Sequence, residues 1–266
     1  MAVLAIKNAG LRMSMIMDSI SPDQTTAVIL AGGFGTRIKH LLGDLPKPMA
    51  PVHGCPFLEW VVRWLAAQNI RRVILSTGFM TEVIEKHFQP QPVAGVRVSC
   101  VPETTPLGTA GGFLNAVRRS KINSSAWFLL NGDTLAFASL ADAIHSLADD
   151  STAGVIFGRE VPDTGRYGSL VTDAAGQLAC FAEKRPGQGV ISTGVYLFRD
   201  SLLKQFPDRR PLSLEQEVFP ALTAAGVSLK VLRMNTPFLD IGTPDTLREA
   251  DHFIRQNLAQ FQIESV

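Results

Sequence analysis

Several features are scarce in this 266-residue sequence, and each scarcity excludes a class of protein. Cysteine occurs only three times, without a C-x-x-C pair, which disfavours a disulfide framework, a zinc site and a dithiol redox site. No apolar run approaches the roughly 18 residues that a transmembrane helix needs. Residues 1–25 carry charges among their apolar positions, so they do not form a secretory signal. We therefore expect a cytoplasmic protein with reduced thiols and no membrane association.

Excess charge of either sign is also lacking. The 25 Lys and Arg against 24 Asp and Glu give a net charge of 25 − 24 = +1, and basic residues form pairs but no longer runs. This balance predicts no surface for nucleic acid or for an anionic membrane. The length allows one large domain or two small ones with a substantial core. Small, charged, soluble substrates fit this composition, and the chain is expected to be a monomer or a homo-oligomer.

Short β-branched runs alternate with helical patterns from Thr26 onward, which is the order that gives a parallel sheet covered by helices. Early strands are expected at 27–31, 72–76, 96–101 and 127–131. Helices are expected at 57–65, after an N-cap at Thr81, and from near Thr109.

The second half of the sequence contains shorter strands and turns. Strands are expected at 155–157, 169–172 and 195–198, and helices at about 213–225 and 244–257. We predict an α/β fold with a parallel sheet covered by helices on both faces. One domain would span 26–266, its second half adding a substrate lobe, and residues 1–25 would be a flexible N-terminal extension.

A glycine-rich turn follows the first expected strand, where Ala31 to Arg37 reads Ala-Gly-Gly-Phe-Gly-Thr-Arg. Backbone amides can approach phosphate closely at such a turn, and Arg37 adds a cation for the same anion. The dinucleotide fingerprint fails because Ile38 takes the place of its last glycine, which disfavours an NAD-dependent oxidoreductase. A Walker loop is excluded because the chain has no Gly-Lys dipeptide. An ordinary strand-to-helix turn remains the alternative.

Three further charged residues suggest a site for phosphate and metal. Lys47 lies between Pro46 and Pro48, which restrict the backbone around it. Asp133 follows an apolar strand at the sheet edge where open parallel sheets bind ligands, and Asp240 precedes a glycine turn. Two aspartates together with phosphate oxygens suit Mg²⁺. Each aspartate alone also fits a helix cap or a turn.

An ordered series of motifs resembles the sugar-1-phosphate nucleotidylyltransferase family. In chain order they are Gly-Gly-Phe-Gly-Thr-Arg, Pro-Lys-Pro, Pro-Leu-Gly-Thr-Ala-Gly, Asn-Gly-Asp, Glu-Lys, Thr-Gly-Val-Tyr and Asp-Ile-Gly-Thr-Pro, over about residues 26–257. Within this family the chain most resembles the D-glycero-α-D-manno-heptose-1-phosphate guanylyltransferases, followed by the mannose-1-phosphate guanylyltransferases. The resemblance implies a nucleotidyltransferase fold, with a Rossmann-like, mostly parallel mixed sheet flanked by helices and a sugar-binding lobe. It also implies a nucleotide half at about 26–150 and a sugar-phosphate half at about 151–266.

The resemblance also implies roles for individual residues. It assigns catalysis to Arg37, Lys47, Asp133 and Lys184, and Mg²⁺ binding to Asp133 and Asp240. Nucleotide binding is implied for Leu30, Ala31, Gly32, Gly33, Gly35, Thr36, Glu103, Pro106, Leu107, Gly108 and Thr109. Sugar-phosphate binding is implied for Gly132, Glu183, Lys184, Thr193 and Gly194.

The implied reaction joins a nucleoside triphosphate and a sugar 1-phosphate and releases pyrophosphate. The attacking phosphate oxygen is already an anion, so catalysis would consist of positioning and charge neutralisation. Guanine has adjacent N–H donors, and a carboxylate such as Glu103 can accept a hydrogen bond from each of them, which favours GTP. Glu103 could instead be a solvated loop residue.

A heptose acceptor is expected because many mannose-specific relatives continue into a further C-terminal domain, whereas this sequence stops at Val266. The alternatives are a mannose-1-phosphate guanylyltransferase, a uridylyl- or thymidylyltransferase, and a non-catalytic paralogue that senses nucleotide sugars.

Overall fold

A nine-stranded mixed sheet lies at the centre of the described part of the chain. The structure is a computed structural model that describes residues 20–33, 38–165, 168–182 and 186–262. Over these residues the strands are β1 (Thr25–Ala31), β2 (Pro51–Val52), β3 (Cys55–Pro56), β4 (Arg72–Thr77), β5 (Arg97–Pro102), β6 (Ala126–Asn131), β7 (Thr134–Ala136), β8 (Gly154–Val161), β9 (Ser169–Thr172), β10 (Leu178–Ala182), β11 (Gly189–Arg199), β12 (Leu229–Met234) and β13 (Phe238–Asp240).

Helices connect the strands. They are α1 (Lys39–Leu42), α2 (Phe57–Ala67), α3 (Thr81–Phe88), α4 (Thr109–Ser120), α5 (Leu140–Ser146), α6 (Phe219–Ala224) and α7 (Pro244–Gln256), with 3-10 turns at Pro22–Gln24, Lys47–Met49, Asp200–Gln205 and Leu258–Phe261 and a π-helical turn at Leu214–Val218. None of the helices in the described part of the chain combines the length and the apolarity that crossing a membrane requires.

Four parallel strands form the first half of the sheet, in the order β5, β4, β1, β6. Ala27 of β1 lies opposite Val73 of β4 on one side and Phe128 of β6 on the other. The four early strands expected from the sequence are therefore confirmed, within one or two residues at their ends. Their carboxyl ends meet at one edge of the sheet.

Antiparallel pairing begins at β11, which makes the whole sheet mixed. β11 lies antiparallel to β6, with Val195 opposite Leu130, and also to β8. β12 then pairs with β8 in parallel, and the β9–β10 hairpin joins β11 where Ile191 lies opposite Ser169. The strands expected at 155–157 and 195–198 are confirmed as parts of the longer β8 and β11.

Alternating side chains of β1 serve two separate cores, as the two-residue period of a strand requires. Ala27 and Ile29 belong to the core beneath α2, which contains the fully buried Trp64. Val28 belongs to the opposite core, with Phe113 of α4. This two-sided burial explains why β1 is continuously apolar from Ala27 to Ala31.

The expected N-cap at Thr81 is wrong. Thr81 is the first residue of α3, and the N-cap position belongs to Met80 in a left-handed conformation with φ +54°. The Thr81 hydroxyl donates to the Gly78 carbonyl at 3.0 Å, so it points back along the chain rather than toward the helix amides. Residues 1–19 of the expected extension lie outside the described residues, and the turn Pro22–Gln24 leads directly into β1.

Candidate active site

A cavity of about 660 Å³ opens where β1, β4 and β6 end. Ten of the residues expected in the site line it, namely Leu30, Gly32, Gly33, Lys47, Glu103, Pro106, Leu107, Gly108, Thr109 and Asp133. They come from four separate segments of the chain, which the parallel strands bring to one edge. The cavity lining does not include Ala31, Gly132, Thr193, Gly194 or Asp240. Gly35, Thr36, Arg37, Glu183 and Lys184 lie outside the described residues.

Lys47 and Asp133 form an ion pair in this cavity, with Lys47 Nζ 2.5 Å from Asp133 Oδ2. The Lys47 side chain is 9% exposed and that of Asp133 is 34% exposed. The buried residues Pro46 and Pro48 flank the lysine at the start of a 3-10 turn. This turn fixes where the Lys47 side chain begins, so its ammonium group is held in the cavity instead of extending into solvent.

Asp240 lies next to Asp133 through the short β7–β13 ribbon. Thr134, the residue after Asp133, is directly opposite Asp240, and the Ile241 amide donates to the Asp133 carbonyl at 2.9 Å. The Gly242 amide donates to Asp240 Oδ1 at 2.9 Å. The ribbon therefore brings the two aspartates expected to bind metal to the same end of the sheet, although they are far apart in sequence.

These residues fit a divalent cation in part. Among the described residues, no group of three or more His, Cys, Asp or Glu side chains is arranged to hold a metal ion. Asp133 and Asp240 supply hard carboxylate oxygens, and Mg²⁺ commonly takes one or two carboxylates and completes its shell with substrate phosphates and water. The donor set therefore suits an ion that arrives together with a polyphosphate.

Glu103 is half-buried in the cavity wall and is not a solvated loop residue. The Ser76 hydroxyl donates to Glu103 Oε1 at 2.9 Å, and the Leu107 amide donates to Oε2 at 3.3 Å. Gly112 and Gly32 leave room for the carboxylate. A Cβ on Gly112 would lie 2.5 Å from Oε1, and a Cβ on Gly32 would lie 3.2 Å from it. Each carboxylate oxygen can accept a further hydrogen bond from a ligand.

The beginning of the glycine turn is supported by a second glycine. A Cβ on Gly78 would lie 2.8 Å from the Gly32 carbonyl oxygen, so the backbones after β1 and β4 touch directly. Gly33 is exposed, and a Cβ on it would meet no atom within 4 Å, which leaves its backbone open to the cavity. This arrangement matches a turn that lets a phosphate approach the main chain.

The residues expected on the sugar side have structural contacts of their own. Thr193 is 1% exposed and its hydroxyl donates to the Phe157 carbonyl at 3.0 Å. Gly194, with φ +73°, lies against the side chain of Asn131. Gly132 is buried and donates its amide to the Leu30 carbonyl at 2.9 Å. Asn131, which does line the cavity, is therefore the described residue that connects this turn with it.

Sequence reasoning missed several lining residues. Gly78, Phe79, Asn131, Thr104 and Thr105 all line the cavity without having been assigned to it, as do Ile38, Pro48 and Gly242. Gly78 and Phe79 directly follow β4 and Asn131 ends β6, so the rule that ligands bind at the carboxyl ends of parallel strands could have found them.

A family model described as nucleotidyl transferase matches residues 26–257, which is most of the chain. The chain belongs to the nucleotidyl transferase family. It is 35% identical over 228 residues to a mannose-1-phosphate guanylyltransferase of Mycobacterium tuberculosis, covering 84% of this chain and 62% of that protein. It is 32% identical over 235 residues to a D-glycero-α-D-manno-heptose 1-phosphate guanylyltransferase of Campylobacter jejuni, covering 87% of this chain and 99% of that protein. The chain thus spans less than two thirds of the first relative and nearly all of the second.

Comparison with solved structures gives the same result for the fold. HddC from Yersinia pseudotuberculosis, crystallised in complex with GMP-PN, is 33% identical, with a TM-score of 0.75 over 85% of this chain and 98% of that chain. A putative glucose-1-phosphate thymidylyltransferase from Bacillus anthracis is 20% identical, with a TM-score of 0.74 over 87% of this chain. The similarity to this thymidylyltransferase supports the fold alone. The predicted Rossmann-like mixed sheet is confirmed.

Proposed function

We propose that this chain transfers GMP from GTP to a sugar 1-phosphate and releases pyrophosphate, with D-glycero-α-D-manno-heptose 1-phosphate as the acceptor. The observation that carries the proposal is the cavity at the carboxyl ends of β1, β4 and β6. It combines an open glycine backbone at Gly33, the Lys47 cation and the Asp133 carboxylate. Backbone amides and a cation bind the phosphates of a polyphosphate, and a carboxylate can hold the divalent cation that accompanies it. The three cysteines are free, which supports a reducing, cytoplasmic setting for the reaction.

The guanine preference is supported by Glu103. Its carboxylate lines the cavity and is held in place by Ser76 and by the Leu107 amide. Guanine presents N1–H and N2–H₂ donors side by side, and a fixed carboxylate accepts both. Uracil and thymine present one N–H between two carbonyls, which would face the carboxylate oxygens. A mismatch of this kind in a formed pocket can cost orders of magnitude in selectivity.

The proposed reaction needs no general base. The sugar phosphate is already a nucleophilic anion, and the barrier is its approach to an anionic α-phosphate. Lys47 neutralises charge there, and its present partner Asp133 keeps the ammonium group in the cavity before substrate arrives. Arg37 and Lys184 lie outside the described residues. Within this proposal Arg37 binds the triphosphate and Lys184 binds the sugar phosphate. Asp133 and Asp240 would hold Mg²⁺, which supplies further neutralisation of the phosphate charge when bound.

The heptose acceptor is supported by the comparisons. A heptose-1-phosphate guanylyltransferase of Campylobacter jejuni and HddC both match this chain over nearly their whole lengths. A second heptose-1-phosphate guanylyltransferase, from Aneurinibacillus thermoaerophilus, is 31% identical over 227 residues. The uridylyl- and thymidylyltransferase alternatives have less support, because the thymidylyltransferase neighbour is only 20% identical.

A test of the reaction mixes the purified chain with GTP, the heptose 1-phosphate and Mg²⁺. We expect GDP-heptose and pyrophosphate in equal amounts, and a loss of both in excess chelator. Asp133→Asn should be nearly inactive at unchanged folding, because it weakens both the metal site and the Lys47 pair. Full activity in chelator would refute the metal assignment. A folded chain that binds GTP without producing pyrophosphate would instead identify the non-catalytic sensor.

A mannose 1-phosphate acceptor is the second candidate, since the mycobacterial mannose-1-phosphate guanylyltransferase is 35% identical to this chain. The ratio of kcat/KM for the two sugar phosphates at saturating GTP separates the candidates. We expect a ratio that favours the heptose. An equal or higher kcat/KM for mannose 1-phosphate would select the second candidate and leave the reaction class unchanged.

A further inference from the structure

The segment Leu212–Glu217 lies directly behind the cavity wall that is proposed to face the base. Leu212 is fully buried, and its carbonyl accepts from the amides of Ala110 and Gly111 at 3.0 and 3.1 Å. Its own amide donates to the Leu107 carbonyl at 2.8 Å. The amides of Ala110 and Gly111, near the start of α4, are therefore occupied by this segment and are not free to bind a phosphate.

Glu215 connects this segment to Thr109. The Thr109 hydroxyl donates to Glu215 Oε2 at 3.2 Å, and the Ser213 hydroxyl donates to the same oxygen at 3.0 Å. The Leu214 amide in turn donates to Thr109 Oγ1 at 2.8 Å. The Thr109 hydroxyl is thus fixed as both donor and acceptor. Thr109 lines the cavity, whereas Glu215 does not.

The Glu215 carboxylate is also near enough to a buried tyrosine, Tyr196, to act on its phenol electrostatically. Tyr196 is fully buried, and burial together with the nearby Glu215 carboxylate raises the pKa of its phenol. Its hydroxyl lies 2.9 Å from Ser192 Oγ, which also accepts from the Gly194 amide at 3.3 Å. Glu215 is therefore hydrogen-bonded to the turn at 106–109, and the described residues give it no hydrogen bond to the turn at Gly194.

We propose that Glu215 is a positioning residue for the nucleotide, and this rests on the proposed function. Acting through the Thr109 hydroxyl, its carboxylate fixes the turn at 106–109 at the distance that the base requires. A hydrogen bond to a charged acceptor in a partly buried place is stronger and more directional than one to a neutral group. Without the carboxylate, the turn keeps its Leu212 contacts but loses the constraint on Thr109.

The first test compares Glu215→Ala with Glu215→Gln. Loss of one charge-assisted hydrogen bond predicts a rise of about five- to tenfold in KM for GTP and in the Kd of a non-hydrolysable GTP analogue. The KM for the sugar 1-phosphate and kcat should stay within about twofold, because Glu215 makes its hydrogen bonds to Thr109 and Ser213 and to none of the described residues expected to bind the sugar phosphate. Glu215→Gln keeps an acceptor for the two hydroxyls and should restore most of the affinity.

Glu217→Ala is the matched control. Glu217 is two residues away, accepts from the Ser213 amide at 2.7 Å and pairs with Arg209 at 2.8 Å, but the structure gives it no bond to Thr109. It should lower the melting temperature without raising the Kd of the analogue. If Glu217→Ala raised this Kd as much as Glu215→Ala, Glu215 would be only a structural support and the inference would be wrong.

A double-mutant cycle with Thr109→Val identifies the route. If Glu215 acts through the Thr109 hydroxyl, Glu215→Ala should raise the Kd no further in a Thr109→Val background. Additive effects, or an effect confined to the KM of the sugar phosphate, would overturn the inference. The proposed function is tested separately by the nucleotide that the wild-type chain uses. If the wild type uses a nucleotide other than GTP, the guanine assignment is refuted. The same double-mutant cycle, run with that nucleotide, then decides the role of Glu215. A wild type that binds no nucleotide would overturn both.

Discussion

Lys47 and Asp133 are 86 residues apart in the sequence, yet their side chains meet at 2.5 Å. The contact depends on two local features, a lysine fixed between buried prolines and an aspartate two residues after the end of a buried strand. Neither feature alone is specific to an active site. Their contact places a cation and a carboxylate together in one cavity at the end of the sheet. At the scale of single residues, this pair is the part of the site with the strongest geometric support.

Lys47→Ala should lower kcat by about two to three orders of magnitude, which is typical when a preorganised charge partner of the transition state is removed. Steady-state kinetics at saturating substrates provide the measurement, with circular dichroism to check folding. Lys86→Ala is the control, because Lys86 is exposed on α3, away from the cavity. Near-normal turnover of Lys47→Ala would contradict the role of Lys47.

The three cysteines should differ in reactivity. Burial, with a contribution from the Glu59 carboxylate, raises the pKa of Cys55 to about 12, and burial raises that of Cys100 to about 11. Both remain thiols at pH 8, whereas only the thiolate reacts with alkylating agents. Cys180 is exposed. Iodoacetamide at pH 8 should therefore label Cys180 first, as read by peptide mass spectrometry, and labelling of Cys55 and Cys100 should increase steeply above pH 10. Equal labelling of all three at pH 8 would contradict these environments.

At the scale of elements, buried strands were predictable and short ribbons were not. β1, β4 and β6 each contain a continuous apolar run next to polar residues, because both faces of these strands are buried. β7 and β13 have only three residues each, so they show no periodicity, and their pairing depends on the β-sheet around them. That ribbon brings Asp240 to Asp133. The motifs could therefore predict the two aspartates, but they could not predict the pairing that brings them together.

Gly108 and Gly176 form a matched pair of glycines, because both have φ +78°. A Cβ on Gly108 would lie 2.5 Å from the Leu212 carbonyl oxygen, whereas a Cβ on Gly176 would have no atom within 4 Å. Gly176→Ala should cost about 1 kcal/mol of unfolding free energy from backbone strain alone. Gly108→Ala should cost about 3 kcal/mol and also raise KM for GTP, because the clash displaces the 106–109 turn.

Urea unfolding and steady-state kinetics on the two glycine variants provide the measurement. The expected result is a larger loss of stability and a raised KM only for Gly108→Ala. If the two variants were equally stable and equally active, the contact between the 106–109 turn and Leu212 would not contribute to either property.

Helices α2 and α3 are connected by a buried carboxylate. The Glu59 side chain is 4% exposed and lies 2.6 Å from Arg63 Nη2 and 2.7 Å from His87 Nε2. Removing both partners leaves a buried charge unpaired, which should cost about 3–5 kcal/mol. Glu59→Gln removes the charge itself and should cost about 1–2 kcal/mol. Urea unfolding of Glu59→Gln and of the Arg63→Ala, His87→Ala double variant tests this order, and a larger loss for Glu59→Gln would contradict it.

For the molecule as a whole, the sheet predicted from the sequence was confirmed, but the site was predicted only in outline. The motifs identified ten residues that line the cavity, because chain segments that follow parallel strands must meet at one edge. They did not identify Asn131 or Gly78, although both lie at or directly after the carboxyl end of a parallel strand. They also did not identify Glu215, whose contact with Thr109 spans 106 residues and requires the folded second half of the chain.

The central claim is that this cavity joins a guanine nucleotide to a manno-configured sugar 1-phosphate. The most direct measurement is pyrophosphate release with each of GTP, ATP, UTP and dTTP against a panel of sugar 1-phosphates, at fixed Mg²⁺. We predict the highest kcat/KM for GTP with D-glycero-α-D-manno-heptose 1-phosphate, and a lower kcat/KM for every pairing with UTP or dTTP. A clear preference for UTP or dTTP, or no pyrophosphate from any pairing, would contradict it.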